Sequence, residues 1–179
     1  MRGDVIGRVA VVGIDVSGRA APQITELAVL HLDQGVRVRG PLIWLVQPGR
    51  MPGRLRVGRR AELAAAPTWP EVAGQVVEAL AGRTVVVHDP ARYAIVSRHL
   101  PDWRPAGLLL TANLARAAWP NLAGYGLARL AAVAGWSGRP PRTAAEEARA
   151  VELLLRTLGG RTRVPHPRDM TESNRHERR

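Results

Sequence analysis

The sequence predicts an α/β fold: a mixed β-sheet, antiparallel over its first three strands and parallel thereafter, flanked by helices. Three observations carry this. Val9 to Val46 holds three strand-like runs separated by short turns. From Thr68 onward, capped amphipathic stretches with helical spacing alternate with the short apolar runs Thr84 to Val87 and Leu108 to Leu110. The resulting order, β-β-β-α-β-α-β-α-α-α, needs both tight turns and helical crossovers between strands, which is a mixed sheet with helices on its faces.

Val9 to Val16 is almost continuously apolar and rich in β-branched residues, as a central strand buried on both faces should be. It carries one carboxylate, Asp15, near its end. Ser17 to Gln23 is a polar turn, and Ile24 to Leu32 is the second strand, closed by the hairpin signal Asp33-Gln34-Gly35. Val36 to Val46 is the third. Its first half alternates Val and Arg, so one face is expected to be wet, and Gly40-Pro41 marks a bulge or an edge position. Gln47 to Arg60 is a Gly/Pro-rich basic loop, with a short helical turn expected over Arg59 to Leu63.

Thr68 is a good N-cap for a helix over Trp69 to Leu80, which sets Val72, Val76, Val77 and Leu80 on one face and stops before Gly82. Asp89-Pro90 opens the next helix, with Asp as N-cap and Pro at the first position, and it runs to about Leu100. Helices are expected over Ala112 to Ala118, Tyr125 to Ala134 and, capped by Thr143, Ala144 to Leu158. One domain over residues 1–160 follows. Arg161 to Arg179 lacks apolar periodicity and is expected to be a disordered basic tail.

Composition narrows the class. With 46% hydrophobic residues the chain can bury a sizeable core. It has no Cys, which excludes disulfides and thiolate zinc sites. No apolar run of transmembrane length occurs, and Met1 to Arg8 has no signal-peptide h-region, so a soluble cytoplasmic protein without a membrane role is expected. The net charge is +11, and every basic residue is Arg. Part of that excess reflects the bias of a GC-rich coding sequence. The sign still favours phosphate-bearing partners through counterion release, with a solvated basic surface as the alternative.

Five segments in order, from residue 9 to 158, then carry a resemblance. They are VVGIDVSG with ITELAVLHLD, VQPGR with APTWPEV, VVHDPARYAI, LLLTANLARAAWPNLAGYGLARLAAVAG, and RTAAEEARAVELLL. Together they resemble the DnaQ-like, or DEDDh, 3′–5′ exonucleases, which have a ribonuclease-H-like fold. The resemblance implies hydrolysis of a 3′-terminal phosphodiester by two divalent metals held by four carboxylates, with a His as general base.

Carried over position by position, little of that chemistry is kept. Asp15 falls on the first acid, and Ser17 on the second. The third falls on Tyr93 by spacing from His88, or on Ala94 if the aromatic residues are aligned, which is preferred because Tyr93 then replaces a core Phe. The general base falls on Arg142, whose guanidinium cannot be deprotonated. The last acid falls on Glu147, or on Glu146 if the helix register slips by one. Asp15 and Glu147 are therefore the residual catalytic and metal candidates, able at most to hold one weakly bound Mg²⁺ or Mn²⁺, with no metal as the alternative.

The neighbouring polar residues divide by local role. Asp89 reads as the helix cap and His88 as a buried hydrogen-bonding residue. Glu26 faces either the site or solvent. Arg142 either fills the metal position by pairing with Asp15 and Glu147 or is an exposed loop residue. Arg50, Arg54 and Arg56, with Arg142, are the candidate contacts to nucleic acid, the alternative being a solvated loop. The five Trp residues are scattered and read as core or edge fillers.

The leading expectation is a nucleic-acid-binding pseudo-exonuclease that receives a single-stranded 3′ end, with a replication or repair protein as a further partner. The alternatives are an active metal-dependent 3′–5′ exonuclease of DNA or RNA, and a protein-interaction module with no nucleic-acid role.

Overall fold

The structure, a computed structural model, describes residues 7–18, 22–53 and 58–159. The strands are β1 (Arg8–Ser17), β2 (Gln23–Asp33), β3 (Val36–Leu45), β4 (Thr84–Val87) and β5 (Gly107–Leu110). They form one sheet in the order β3-β2-β1-β4-β5. β2 pairs antiparallel with β1 and β3, whereas β4 runs parallel to β1 and β5. The helices are α1 (Arg59–Ala65), α2 (Trp69–Leu80), α3 (Pro90–His99), α4 (Thr111–Ala118), α5 (Leu127–Val133) and α6 (Ala144–Gly159).

The near-continuous apolar run of β1 is explained by its central place. Ala10, Val12 and Ile14 pack in one layer with Val72, Val76 and Leu80 of α2 and Ile95 and Val96 of α3. Val9 and Val11, pointing the other way, pack with Ala148, Val151 and Leu155 of α6. Each such fully buried Leu or Val contributes about 1.5–3 kcal/mol relative to leaving it exposed. A third cluster joins Ala115 of α4 and Leu130 of α5 to Leu154 and Leu158 of α6.

α6 can press against β1 because Gly13 has no side chain. A Cβ there would lie 2.1 Å from the Ala144 carbonyl oxygen and 2.6 Å from the Ala148 amide nitrogen. The β2–β3 hairpin turns on Gln34 and Gly35, both with positive φ (51° and 77°), as a two-residue turn between twisted strands requires. β3 is an edge strand, and the register breaks around Gly40-Pro41, as their chemistry demands.

The first half of β3 is wet, as its alternation predicts: Val36 and Val38 are 64% and 54% exposed. From the same stretch Arg37 reaches α6, where its guanidinium pairs with the buried carboxylate of Glu152. Three details differ from the sequence expectations. The turn at Arg59 is a helix of 7 residues. α5 starts at Leu127, because the backbone and hydroxyl of Tyr125 are held elsewhere: its carbonyl accepts from His88 and its hydroxyl donates to the Trp119 carbonyl. Val77, expected on the buried face of α2, is exposed. Among the described residues no helix is long and apolar enough to cross a membrane. Arg54, Arg56 and the tail from Arg161 lie outside the described residues.

Candidate functional site

Strand alternation places Asp15 on the α6 side of the sheet, two residues beyond Gly13. Across the β1–β2 ladder Asp15 faces Glu26, and the register then shifts so that Val16 faces Ile24. Thr25 is the extra residue of this bulge. Asp15 accepts a hydrogen bond from the Val16 amide at 3.0 Å. Burial raises its pKa above the usual carboxylate range; Glu26 adds to the rise, while the Val16 amide, Arg59 and Arg92 oppose it.

Glu26 is buried, 6% exposed, and its Oε2 accepts from Nη2 of Arg59 at 2.6 Å. Arg59, the first residue of α1, also reaches Glu62 at 3.3 Å. Glu26 thus sits beside Asp15, paired with Arg59.

Glu147 lies in the first turn of α6 and is 7% exposed. Burial pushes its carboxyl up to about 7; Arg92 opposes this, and Asp89 and Asp15 reinforce it. Nε of Arg92 is 3.2 Å from Oε1 of Glu147, but its N–H does not point at that oxygen, which has a cation beside it and no hydrogen bond. The register of α6 is fixed by Glu146. Its Oε2 accepts from the Arg142 and Thr143 amides at 2.8 and 3.2 Å, its own amide donates to the Thr143 hydroxyl, and Arg139 pairs with it at 2.6 Å. Glu146 therefore caps the helix and Glu147 turns to the sheet.

The cation at this place is Arg92 and not Arg142. Arg142 is an exposed loop residue preceding α6, and among the described residues its guanidinium makes no ion pair. α6 is capped through the Arg142 backbone, which leaves its side chain outside. Arg92 stands in the first turn of α3, directly after β4, the neighbour of β1, so its side chain spans the end of the sheet to Glu147.

The remaining positions fall as follows. Ser17 is the last residue of β1, half-buried. Tyr93 packs against the core and Ala94 is exposed. Asp89 caps α3 by accepting the Arg92 amide at 3.0 Å. His88 is buried and fully bonded, Nδ1 to the Thr111 hydroxyl at 3.2 Å and Nε2 to the Tyr125 carbonyl at 3.0 Å, and burial lowers its pKa. Arg50 is exposed on the loop after β3, and its amide donates to the Gln23 side chain.

The structure thus gathers Asp15, Glu26 and Glu147, and interleaves Arg59 and Arg92. Asp15 and Glu147 are the pair that could share a divalent cation. Among the described residues, however, no group of three or more His, Asp or Glu is placed to hold one. Sequence reasoning missed Arg92 altogether and placed Arg59 in a basic loop and at the start of a short helical turn, without a partner. The available signal was an Arg one helical turn after the Asp89 cap, which does not by itself name a partner.

No family model matches the chain, and no curated relative matches it. Solved structures do. A 3′-exonuclease described in 3′-end-specific recognition of the histone mRNA stem-loop superposes with a TM-score of 0.69 at 11% identity, over 89% of this chain and 85% of that one. Exonuclease X, solved with 5′-overhanging duplex DNA, gives 0.65 at 21% identity, over 92% and 98%. Exonuclease I of E. coli, in a zinc-bound complex with single-stranded DNA, gives 0.70 at 12% identity, over 87% of this chain and 41% of that one. Sheet order, mixed pairing and these superpositions agree: the chain has the ribonuclease-H-like fold of the DnaQ-like 3′–5′ exonucleases.

Proposed function

We propose that this chain is a pseudo-exonuclease: it receives a single-stranded 3′ end of DNA or RNA on an exonuclease fold without hydrolysing it by two-metal chemistry. The observation that carries this is the Arg92–Glu147 pair. A guanidinium stands against the one acid retained on α6, a second guanidinium neutralises Glu26, and Ser17 and Ala94 supply no carboxylate at the other two positions. The donor set does not fit two divalent cations. Losing the general base as well, with Arg142 at its position, would cost on the order of 10²–10⁴ in rate.

Binding is supported by the +11 charge, by the exposed Arg50, and by neighbours solved with stem-loop RNA, overhanging duplex and single-stranded DNA. One observation favours the competing reading of an active metal-dependent exonuclease: Oε1 of Glu147 lacks a hydrogen-bond donor near Asp15, a place where Mg²⁺ or Mn²⁺ would be welcome. Incubation with 3′-labelled single-stranded DNA and RNA in Mg²⁺ and in Mn²⁺ separates the two. The expected result is binding that weakens as salt rises, with no shortening of the strand. Shortening that disappears in Asp15→Ala would overturn the proposal, and no binding at low salt would remove nucleic acid from it.

A further inference from the structure

β4 is followed by α3, which packs on the face shared with α2, whereas β5 is followed by α4, which packs on the α6 side. The chain therefore changes face between two adjacent parallel strands, and a crevice must open beyond their carboxyl ends. It does, as a cavity of about 370 Å³ lined by His88, Asp89, Arg92, Arg116, Tyr125 and Leu127 among others. Its walls are tied together. His88 bonds both to Thr111 at the start of α4 and to Tyr125 in the loop before α5, and its own carbonyl accepts the Ala112 amide at 2.9 Å.

From this we infer that the crevice is a mononucleotide site, taking a nucleotide's phosphate monoester between Arg116 and Arg92 with the base against the Leu127 wall. Arg116 is the cation for the task. It makes no ion pair among the described residues, yet its position is fixed, 5.2 Å above the Tyr125 ring and bonded to Asn113 Oδ1 at 2.8 Å. Arg92 is shared with Glu147. Both ring nitrogens of His88 are engaged, and burial lowers its pKa. Two guanidiniums against the one carboxylate of Asp89 leave the lining one net positive charge. That suits a single phosphate and disfavours a triphosphate. The volume exceeds what phosphate alone needs and falls in the range of small-molecule sites. The inference rests on the nucleic-acid reading only for the class of anion. The nucleotide is either free or the phosphorylated end of a strand.

Calorimetric titration of the full chain with dTMP, thymidine, dTTP and short oligo(dT), with and without a terminal phosphate, tests it. dTMP is expected to bind, dTTP no more tightly, and thymidine not measurably. Arg116→Ala and Arg116→Glu should weaken dTMP at least about tenfold, while Arg149→Ala, an exposed change on α6, leaves it unchanged. If phosphorylated oligo(dT) displaces dTMP in an Arg116-dependent way, a strand end is the source; if only dTMP binds, a free nucleotide is. Unchanged dTMP binding in a folded Arg116→Ala, or thymidine binding as well as dTMP, would overturn the site. Failure of strand binding alone removes the pseudo-exonuclease reading and leaves this one to the dTMP titration.

Discussion

Nε of Arg92 lies 3.2 Å from Oε1 of Glu147 and so links the first turn of α3 to the first turn of α6 across the end of the sheet. Glu147 is nearly inaccessible, whereas a third of the Arg92 side chain reaches water. Removing the arginine strands a buried carboxylate, and removing the carboxylate leaves a cation that solvent can reach.

Arg92→Ala is therefore expected to destabilise the fold by about 1–3 kcal/mol at pH 8, whereas Glu147→Gln, which removes the buried charge itself, should not destabilise it. In Arg92→Ala/Glu147→Gln most of the loss should be recovered. Denaturant unfolding of the four proteins gives the coupling energy. Additive effects would mean that the two side chains do not interact.

The same carboxyl predicts a pH dependence. Its pKa in the fold, about 7, lies above the ordinary value of 4.5 for a glutamate. The unfolded chain then releases this proton more readily than the folded one. The associated stability is complete below about pH 4.5, declines as pH rises, and is gone above about pH 7. The full span is worth on the order of 3 kcal/mol. Wild-type protein should lose stability relative to Glu147→Gln between pH 4.5 and 7, with parallel curves above that window. A constant difference throughout would show that Glu147 titrates normally.

Arg59 stands between two acids: it is bonded to Glu26, and its charge lowers the pKa of Asp15 against the effect of burial. Arg59→Met should raise the Asp15 pKa further, read as a shift of its carboxyl carbon titration by NMR. An unchanged titration would place Arg59 too far away to serve as a counter-ion to Asp15.

The sheet and the helical layers were legible in the sequence because each rests on a local pattern. The β-branched run around Val12, the Gln34-Gly35 turn, and the Thr68 and Asp89 caps with Pro behind them each specify their element within a few residues. The acids of the site were legible in part, since Asp15 lies near the end of a strand and Glu147 follows the Glu146 cap by one residue. Its cations were not. Arg92 and Arg142 are both loop-proximal arginines, and only the adjacency of β4 to β1 selects Arg92. In a chain whose basic residues are all Arg, no residue type marks which one is recruited. The same holds on β3, where Arg37 pairs with Glu152, more than a hundred residues away in sequence.

Gly13 sets how near Glu147 can come to Asp15. An added methyl would meet backbone atoms of α6, the Ala144 carbonyl oxygen at 2.1 Å and the Ala148 amide nitrogen at 2.6 Å, and neither can swing aside as a side chain would. Gly13→Ala must push the start of α6 away from β1. The overpacking is expected to cost about 3 kcal/mol, at the upper end of such changes, despite the gain that Ala usually brings to a strand. The displacement would also carry Glu147 away from Arg92 and open its pocket to water. Its carboxyl should then titrate closer to the ordinary range, and the pH-dependent loss of stability between 4.5 and 7 should shrink in the same variant. Thermal melts of Gly13→Ala and Gly13→Ala/Glu147→Gln across that window measure both effects. A Gly13→Ala protein as stable as wild type, with its pH profile intact, would show that α6 does not depend on this contact for its seat on β1.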